Sequence, residues 1–339
     1  MNTPKKKSWL RPAIGALIAL AFVWLIGRNV NLQQLIMSFA TANPADLCVA
    51  LLAFAVGYSM RIARWRAMLA PAAPGISWWR CAGPFMASFA ANNVLPFRAG
   101  DVLRAFGFNQ RLKVSAGTVL ATLFVERLLD LLLLLVMLGG ALAVFNLQAA
   151  SFAGVGAGFL LAVALVILVI LLFPQPFAPL ARGGVALVAK LAPRVGERLR
   201  AEVDKGLLTL TQLARGGTML RLLALSAAAW LAEGCVFWFA ARALVDVSNP
   251  AAAWLALPVG TLATLIPSTP GYAGTFDYFT IHAMTTLGTA VTPATAFAML
   301  VHLLLWLPPT LVGGLYLIIR PVARHNPAPA APLDSGNPK

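Results

Sequence analysis

The fold class of this chain is decided by one long apolar stretch, residues 114–145, which reads VSAGTVLATLFVERLLDLLLLLVMLGGALAVF. It exceeds the roughly 20 residues that an α-helix needs to cross the hydrocarbon core of a bilayer. Five other apolar stretches approach or reach this length, at residues 12–27, 45–60, 152–173, 222–241 and 292–319. The sequence therefore predicts an all-α polytopic membrane protein with about six spanning helices.

Composition supports a protein whose solvent is the bilayer. Hydrophobic residues make up 60% of the 339 residues and charged residues only 11%, whereas charged residues make up about 25% of a typical soluble domain. A net charge of +15 would suggest nucleic acid if it covered one face of a soluble domain. In a membrane protein, basic residues instead indicate which loops face the cytoplasm, so no nucleic-acid partner is predicted.

The basic residues fall on one predicted side of the membrane. All but Arg28, Arg127 and Arg242 lie in the N-terminal segment, in two loops or after the last span. Cytoplasmic loops collect Lys and Arg, so both termini are expected in the cytoplasm. The first apolar stretch has no small-residue cleavage site after it, and we interpret it as a retained signal anchor.

Two further apolar segments, residues 81–96 and 251–287, are broken by Pro and Gly. Basic loops flank the first segment on both sides, which predicts a hairpin that opens to the cytoplasm, and the second would open to the opposite side. Pro, Ala and Gly recur at matching offsets in Pro96-Phe-Arg-Ala-Gly100 and Pro270-Gly-Tyr-Ala-Gly274. Two such hairpins would form an inverted repeat, with broken helices meeting near the midplane around a polar cavity.

One transmembrane domain is expected over residues 1–320. Within it, residues 177–215 change to a charged, amphipathic composition, which favours a helical connector on the cytoplasmic surface. Residues 321–339 are rich in Pro and Ala and are predicted to be a disordered tail. The three cysteines lie singly without metal-ligand spacing, so neither a metal site nor a cofactor is predicted.

Ionisable residues inside predicted spans are the strongest functional signal, because such residues usually face a cavity or a partner. The set comprises Glu126, Arg127, Asp130, Glu233, Asp277, His282 and His302. Glu126 and Asp130 share a helix face, and Arg127 can pair with Asp130 three residues on. A buried ion pair that only fixes helix packing remains the alternative for Arg127 and Asp130.

The first break combines amide and guanidinium side chains with the start of a new helix. It contains Asn93, Pro96, Arg98, Gly100, Asp101 and Arg104. Helix N-termini attract anions and arginine binds phosphate through a planar fork of donors, so a phosphate headgroup is the expected ligand. Arg98 and Arg104 as interfacial anchors are the alternative, and anchoring is favoured for Arg61 and Arg64 beside Trp65.

Four motifs together resemble a known family, the transmembrane flippase-like region of lysylphosphatidylglycerol synthases. The motifs are Arg61/Arg64-Trp65; Asn93-x-Leu-Pro96-x-Arg98-x-Gly100-Asp101 with Arg104; Glu126-Arg127-Leu-Leu-Asp130; and Ile266-Pro267-Ser-Thr-Pro270-Gly271-Tyr-Ala-Gly274-Thr-Phe276. The resemblance implies a multi-pass protein of the bacterial inner membrane that moves lipids or lipid-linked molecules between leaflets. In full-length synthases the region translocates aminoacylated phosphatidylglycerol.

Two departures limit what the resemblance implies. No soluble domain that could aminoacylate a lipid follows Arg320, so synthase activity is not expected. Asp277 stands where the family commonly has Glu, which keeps the charge but shortens its reach.

The leading interpretation is therefore a non-enzymatic flippase or facilitator whose partner is a phospholipid or lipid-linked molecule. Nucleotide-binding and hydrolase motifs of the GxxxxGK[ST], HExxH and GxSxG types are missing from the sequence. A membrane-embedded transferase that uses a lipid-linked donor and an accessory subunit of a lipid-synthesis complex remain the alternatives. The sequence leaves the oligomeric state open.

Overall fold

The computed structural model describes residues 31–95, 98–147, 157–215, 217–266 and 270–320, and these ranges are helical without a β-strand. The helices are α1 (Leu32–Ala40), α2 (Pro44–Leu69), α3 (Trp78–Val94), α4 (Ala99–Phe106), α5 (Asn109–Leu112), α6 (Ala116–Val144), α7 (Ala157–Leu172), α8 (Ala178–Leu191), α9 (Pro193–Leu213), α10 (Thr218–Ala243), α11 (Ala253–Ala263), α12 (Thr275–Thr286) and α13 (Val291–Ile319). The predicted first span, the C-terminal tail, Pro96 and Pro267 lie outside the described residues.

Four helices, α2, α6, α10 and α13, are long and apolar enough to cross a membrane. A fifth candidate is α7 together with the segment Gln175–Lys190, which bends away from it by 103°. The predicted spans at 45–60, 114–145, 222–241 and 292–319 thus correspond to helices. The described part of the chain supports four or five spans, against the predicted six, one of which falls at residues 12–27.

The first broken segment is a pair of helices, α3 and α4, that fold back on each other. Ser77 caps the start of α3 by accepting a hydrogen bond from the backbone N–H of Arg80 at 3.3 Å. Gly100 in α4 lies so close to α3 that a Cβ would overlap the carbonyl oxygen of Ser88. Its backbone N–H donates to Oδ1 of Asn92 at 2.8 Å. Glycine at position 100 therefore permits the close return of the chain.

The second broken segment is built in a related way from α11 and α12, which pack against each other. A short 3₁₀ turn, Pro270–Tyr272, lies between them. Gly274 precedes α12, and its backbone N–H donates to Oδ2 of Asp277 at 2.8 Å. The carboxylate of Asp277 thus caps the helix that it begins. The two segments share a helix–break–helix pattern, and the inverted repeat stays a prediction.

The connector at residues 177–215 is a helical hairpin of α8 and α9 that packs on α6. Leu210 and Leu213 of α9 are buried in one apolar cluster with Val125 and Leu129 of α6. An exposed ion pair between Arg182 and Asp204 joins the two helices at 2.9 Å. The predicted helical character agrees with the structure, whereas its position on the cytoplasmic surface stays a prediction.

Candidate functional site

A cavity of about 400 Å³ lies where the two broken segments meet in the interior of the bundle. It is lined by side chains from α2, α3, α6, α10 and α13 as well as from both breaks. Its polar and aromatic lining consists of Tyr58, Arg61, Phe89, Asn92, Asn93, Arg98, Arg127, Asp130, Trp230, Glu233, Thr261, Thr264, Tyr272, Phe276, His302 and Trp306. The volume is within the roughly 300–1,000 Å³ range of ligand pockets.

Arg98 and Tyr272 connect the two breaks across this cavity. Nε of Arg98 donates a hydrogen bond to the hydroxyl oxygen of Tyr272 at 3.1 Å. Both residues adopt the left-handed conformation, with φ of 52° and 62°. Non-glycine residues avoid this region at a cost of roughly 1–2 kcal/mol, and such strain clusters at functional sites. Such a conformation persists only where the surrounding contacts fix it, and the hydrogen bond between these two cavity-lining side chains is one such contact.

Asn93 fastens the first break to the last span. Its Nδ2 donates to the backbone oxygen of Trp306 at 3.1 Å and to Oγ1 of Thr310 at 2.8 Å. Nε1 of Trp306 returns a hydrogen bond to the backbone oxygen of Asn93 at 3.4 Å. All three residues are part-buried, so this pairing orders one wall of the cavity.

Two buried ion pairs contribute Arg61, Glu233 and Asp130 to the lining. Arg61 pairs with Glu233, and its guanidinium lies 4.6 Å from the ring centroid of Trp230. Asp130 accepts from Nη1 of Arg64 at 2.7 Å and from Nε1 of Trp230 at 3.2 Å. Arg61 and Arg64 therefore bind carboxylates inside the bundle, and the expected interfacial anchoring does not describe them.

Arg127 pairs most closely with Asp101, and the sequence-based pairing with Asp130 is present as a second, longer contact. Nη2 of Arg127 lies 3.1 Å from Oδ2 of Asp101, whereas Nη1 lies 4.0 Å from Asp130. Asp101 also accepts from Nδ2 of Asn92 at 3.1 Å. The pairing with Asp101 ties α4 to α6, and the helical spacing of Arg127 and Asp130 could not reveal a partner on another helix.

Arg104 and Glu126 form a bidentate pair behind the cavity wall. The Nη1 and Nη2 atoms of Arg104 lie 3.2 and 3.1 Å from the two carboxylate oxygens of Glu126. The side chains are 0% and 1% exposed, and the guanidinium also lies between the rings of Trp65 and Phe85. Neither residue lines the cavity, so neither contacts a ligand there in this structure.

His302 and Asp277 lie together at the second break. Nδ1 of His302 is 2.8 Å from Oδ1 of Asp277, whose other oxygen caps α12. The imidazole lines the cavity and makes an edge contact with the ring of Phe276 at 5.4 Å between ring centroids. Asp277 itself supports the wall from behind.

The structure divides the predicted site residues into two groups. Those that line the cavity are Arg61, Asn93, Arg98, Arg127, Asp130, Glu233, Gly271 and His302. Those that lie behind it are Arg64, Gly100, Asp101, Arg104, Glu126, Gly274 and Asp277. Pro270 begins the 3₁₀ turn. In the described part of the chain, no group of three or more His, Cys, Asp or Glu could hold a metal ion.

Sequence reasoning missed the aromatic part of the lining. Tyr58 and Trp230 each precede a charged cavity residue, Arg61 or Glu233, by three positions, which puts each pair on one helix face. Tyr272 occupies the offset in the second break that Arg98 occupies in the first. Trp306 follows His302 by four positions, which puts it on the same face of the last span, so signals for these residues were present in the sequence.

The family's sequence profile, described as "Lysylphosphatidylglycerol synthase TM region", matches residues 13–313. The chain belongs to this family. The family match and the long apolar helices together show that the chain is a multi-pass membrane protein related to lipid metabolism or transport. No curated protein matches the chain.

Proposed function

We propose that this chain is a flippase or facilitator that moves a phospholipid or lipid-linked molecule between the leaflets of the inner membrane. The observation that carries the proposal is the cavity between two helix breaks, into which Arg98 and Tyr272 project from opposite breaks. Broken helices that meet at an interior cavity are the usual construction of a transport site.

Polar groups in an otherwise largely apolar cavity help a lipid to cross, because the headgroup is the costly part of the movement. Charged groups in hydrocarbon cost several kcal/mol, and a protein cavity replaces their hydration by fixed donors and acceptors. Arg98, Asn92 and Thr264 supply such groups in the lining. In this proposal the headgroup occupies the cavity while the acyl chains stay in the bilayer, and no covalent chemistry is required.

Reconstitution tests the proposal directly. Purified protein in liposomes containing a fluorescent phospholipid should expose inner-leaflet lipid to a membrane-impermeant quencher faster than empty liposomes do. Leu131 lines the cavity from α6, so Leu131→Trp should fill it and slow translocation at least fivefold. Val136 lies on the same helix with a 42% exposed side chain, and Val136→Trp serves as the matched control.

The outcomes separate the proposed function from its alternatives. Quenching rates equal to those of empty liposomes would overturn transport by the protein alone. A new lipid product in the same liposomes would instead support a transferase. Equal slowing by both tryptophan variants would show that the cavity is not the pathway.

A further inference from the structure

The carboxylates around the cavity are already occupied by cationic side chains or by histidine. The chain has 11 acidic residues, of which six lie in α2, α4, α6, α10 and α12. Their partners are Arg242 for Asp46, Arg127 for Asp101, Arg104 for Glu126, Arg64 for Asp130, Arg61 for Glu233 and His302 for Asp277. Five of the six carboxylates are thus paired with arginine, and the sixth, Asp277, contacts the His302 imidazole and lies outside the lining.

The other five acidic residues do not supply an unpaired carboxylate to the cavity either. Three of them lie in α9, which contributes nothing to the lining. Asp246 accepts a hydrogen bond from Ser38 at 2.8 Å, and Asp334 belongs to the C-terminal tail. The undescribed residues at the two breaks, 96–97 and 267–269, are Pro, Phe, Pro, Ser and Thr, so they supply no carboxylate either.

Arg98 differs from the other two arginines in the lining, Arg61 and Arg127. Each of those pairs with a carboxylate, whereas no carboxylate of the described residues lies within 4.0 Å of Arg98. The hydroxyl of Tyr272 occupies only its Nε, which orients the guanidinium without neutralising it. Arg98 also precedes the first residue of α4, where the helix dipole adds positive potential.

We infer that the cavity takes a headgroup with net negative charge, a phosphate without a cationic group attached. This inference rests on the proposed function and specifies its substrate class. The guanidinium Nη groups of Arg98 donate to the phosphate oxygens in the bidentate geometry that arginine favours. An ammonium group in the same headgroup would meet three arginines, and the two carboxylates in the lining, Asp130 and Glu233, are each paired with an arginine. Aminoacylated phosphatidylglycerol, the cargo of the full-length synthases, is therefore disfavoured.

Calorimetric titration with short-chain lipids tests the inference on the full chain in detergent. The probes are dihexanoyl phosphatidylglycerol, which is anionic, dihexanoyl phosphatidylethanolamine, which is zwitterionic, and dihexanoyl lysylphosphatidylglycerol, which is cationic. We expect phosphatidylglycerol to bind at least tenfold more tightly than either of the others. Arg98→Gln should reduce this preference to less than twofold. The exposed Arg215 lies outside the lining, and Arg215→Gln should retain the full preference.

Each result has a defined meaning. Equal affinities, or tighter binding of lysylphosphatidylglycerol, would overturn the inference, as would an unchanged preference in a folded Arg98→Gln variant. Retained thermal stability of Arg98→Gln would show that this variant is folded. If Arg98→Gln does not fold, Arg98→Lys replaces it in the titration and should keep part of the preference for phosphatidylglycerol. Selective binding without translocation in liposomes would overturn the proposed function and leave the headgroup assignment standing. Translocation of all three lipids at equal rates would overturn the headgroup assignment and leave the proposed function standing.

Discussion

Arg98 and Tyr272 hold equivalent positions in two separate helix breaks, and their side chains are hydrogen bonded to each other. Each lies two residues after a proline, Pro96 or Pro270, and each has a left-handed backbone. The distance from Nε to the hydroxyl oxygen is 3.1 Å. This contact therefore links the two breaks and orients the guanidinium in the cavity.

Removing the hydroxyl of Tyr272 should weaken headgroup binding without unfolding the protein. A hydrogen bond contributes about 0.5–1.5 kcal/mol net, so Tyr272→Phe should lower the affinity for phosphatidylglycerol by roughly twofold to tenfold. Tyr316 outside the cavity accepts from Nη1 of Arg111 at 3.3 Å, and Tyr316→Phe is the matched control. Calorimetric titration measures both variants, and equal affinities would show that Tyr272 does not position Arg98.

Replacing Arg98 by lysine should impair translocation although the charge is kept. Lysine lacks the planar fork that binds two phosphate oxygens and has no donor equivalent to Nε for Tyr272. We expect a rate roughly tenfold lower in the liposome assay, with unchanged abundance and membrane insertion. Transport equal to wild type would favour Arg98 as an interfacial anchor.

Glu126 should behave as a packing residue with a large effect on stability. Glu126→Gln leaves the buried guanidinium of Arg104 with Asp101 at 3.7 Å as its remaining carboxylate. Breaking a buried pair costs about 3–5 kcal/mol, whereas replacing both partners by apolar residues is often neutral. The thermal midpoint in detergent should therefore fall for Glu126→Gln and recover in the double variant Arg104→Met with Glu126→Leu.

A double variant that is less stable than Glu126→Gln would contradict this packing role. Normal stability of Glu126→Gln combined with lost translocation would instead return Glu126 to the transport pathway.

Gly100→Ala should disrupt the first hairpin, because the added methyl group would overlap the carbonyl oxygen of Ser88 on α3. Overpacking of this kind costs about 1–3 kcal/mol or more. Gly140 in α6 has open space around the position of a Cβ, so Gly140→Ala should be neutral or slightly stabilising. Thermal midpoints of the two variants provide the measurement, and equal midpoints would show that the return of α4 tolerates a side chain.

The connector and the α10–α11 loop should be accessible from opposite sides of the membrane. Gly184 lies in the connector with open space around it, and Val245 is 74% exposed in the loop after α10. In a chain without Cys48, Cys81 and Cys235, Gly184→Cys should react with impermeant maleimide only from the cytoplasm and Val245→Cys only from the other side. The reverse pattern would overturn the predicted topology.

The sequence predicts most of the helices because span length, Pro and Gly breaks and apolar composition are local properties. It also indicates that residues near Arg98 and Gly271 share a cavity, through the matching offsets of the two breaks. Pairings between helices are different, because the partners are far apart in the chain. Arg61 and Glu233 are separated by 172 positions and Arg64 and Asp130 by 66, and no helical periodicity relates such residues.

The same limit explains why the sequence alone predicts Arg104 as a phosphate ligand. An arginine beside a helix start is a reasonable phosphate ligand in sequence terms, and only tertiary packing shows the carboxylate of Glu126 in front of it. Arg98 stands six residues earlier, immediately before α4, and it lines the cavity with a left-handed backbone. A backbone conformation of this kind is difficult to anticipate for a residue other than glycine or asparagine.

Gly313 of α13 lies so close to α3 that a Cβ would overlap the backbone of Met86, and Gly83 of α3 has the same relation to the ring of Tyr316. The hydrogen bonds of Asn93 to Trp306 and Thr310 fasten the other end of the same contact. Close backbone contact and hydrogen bonds along this length oppose sliding of α3 past α13. We therefore expect any opening of the cavity to displace the last span together with α3.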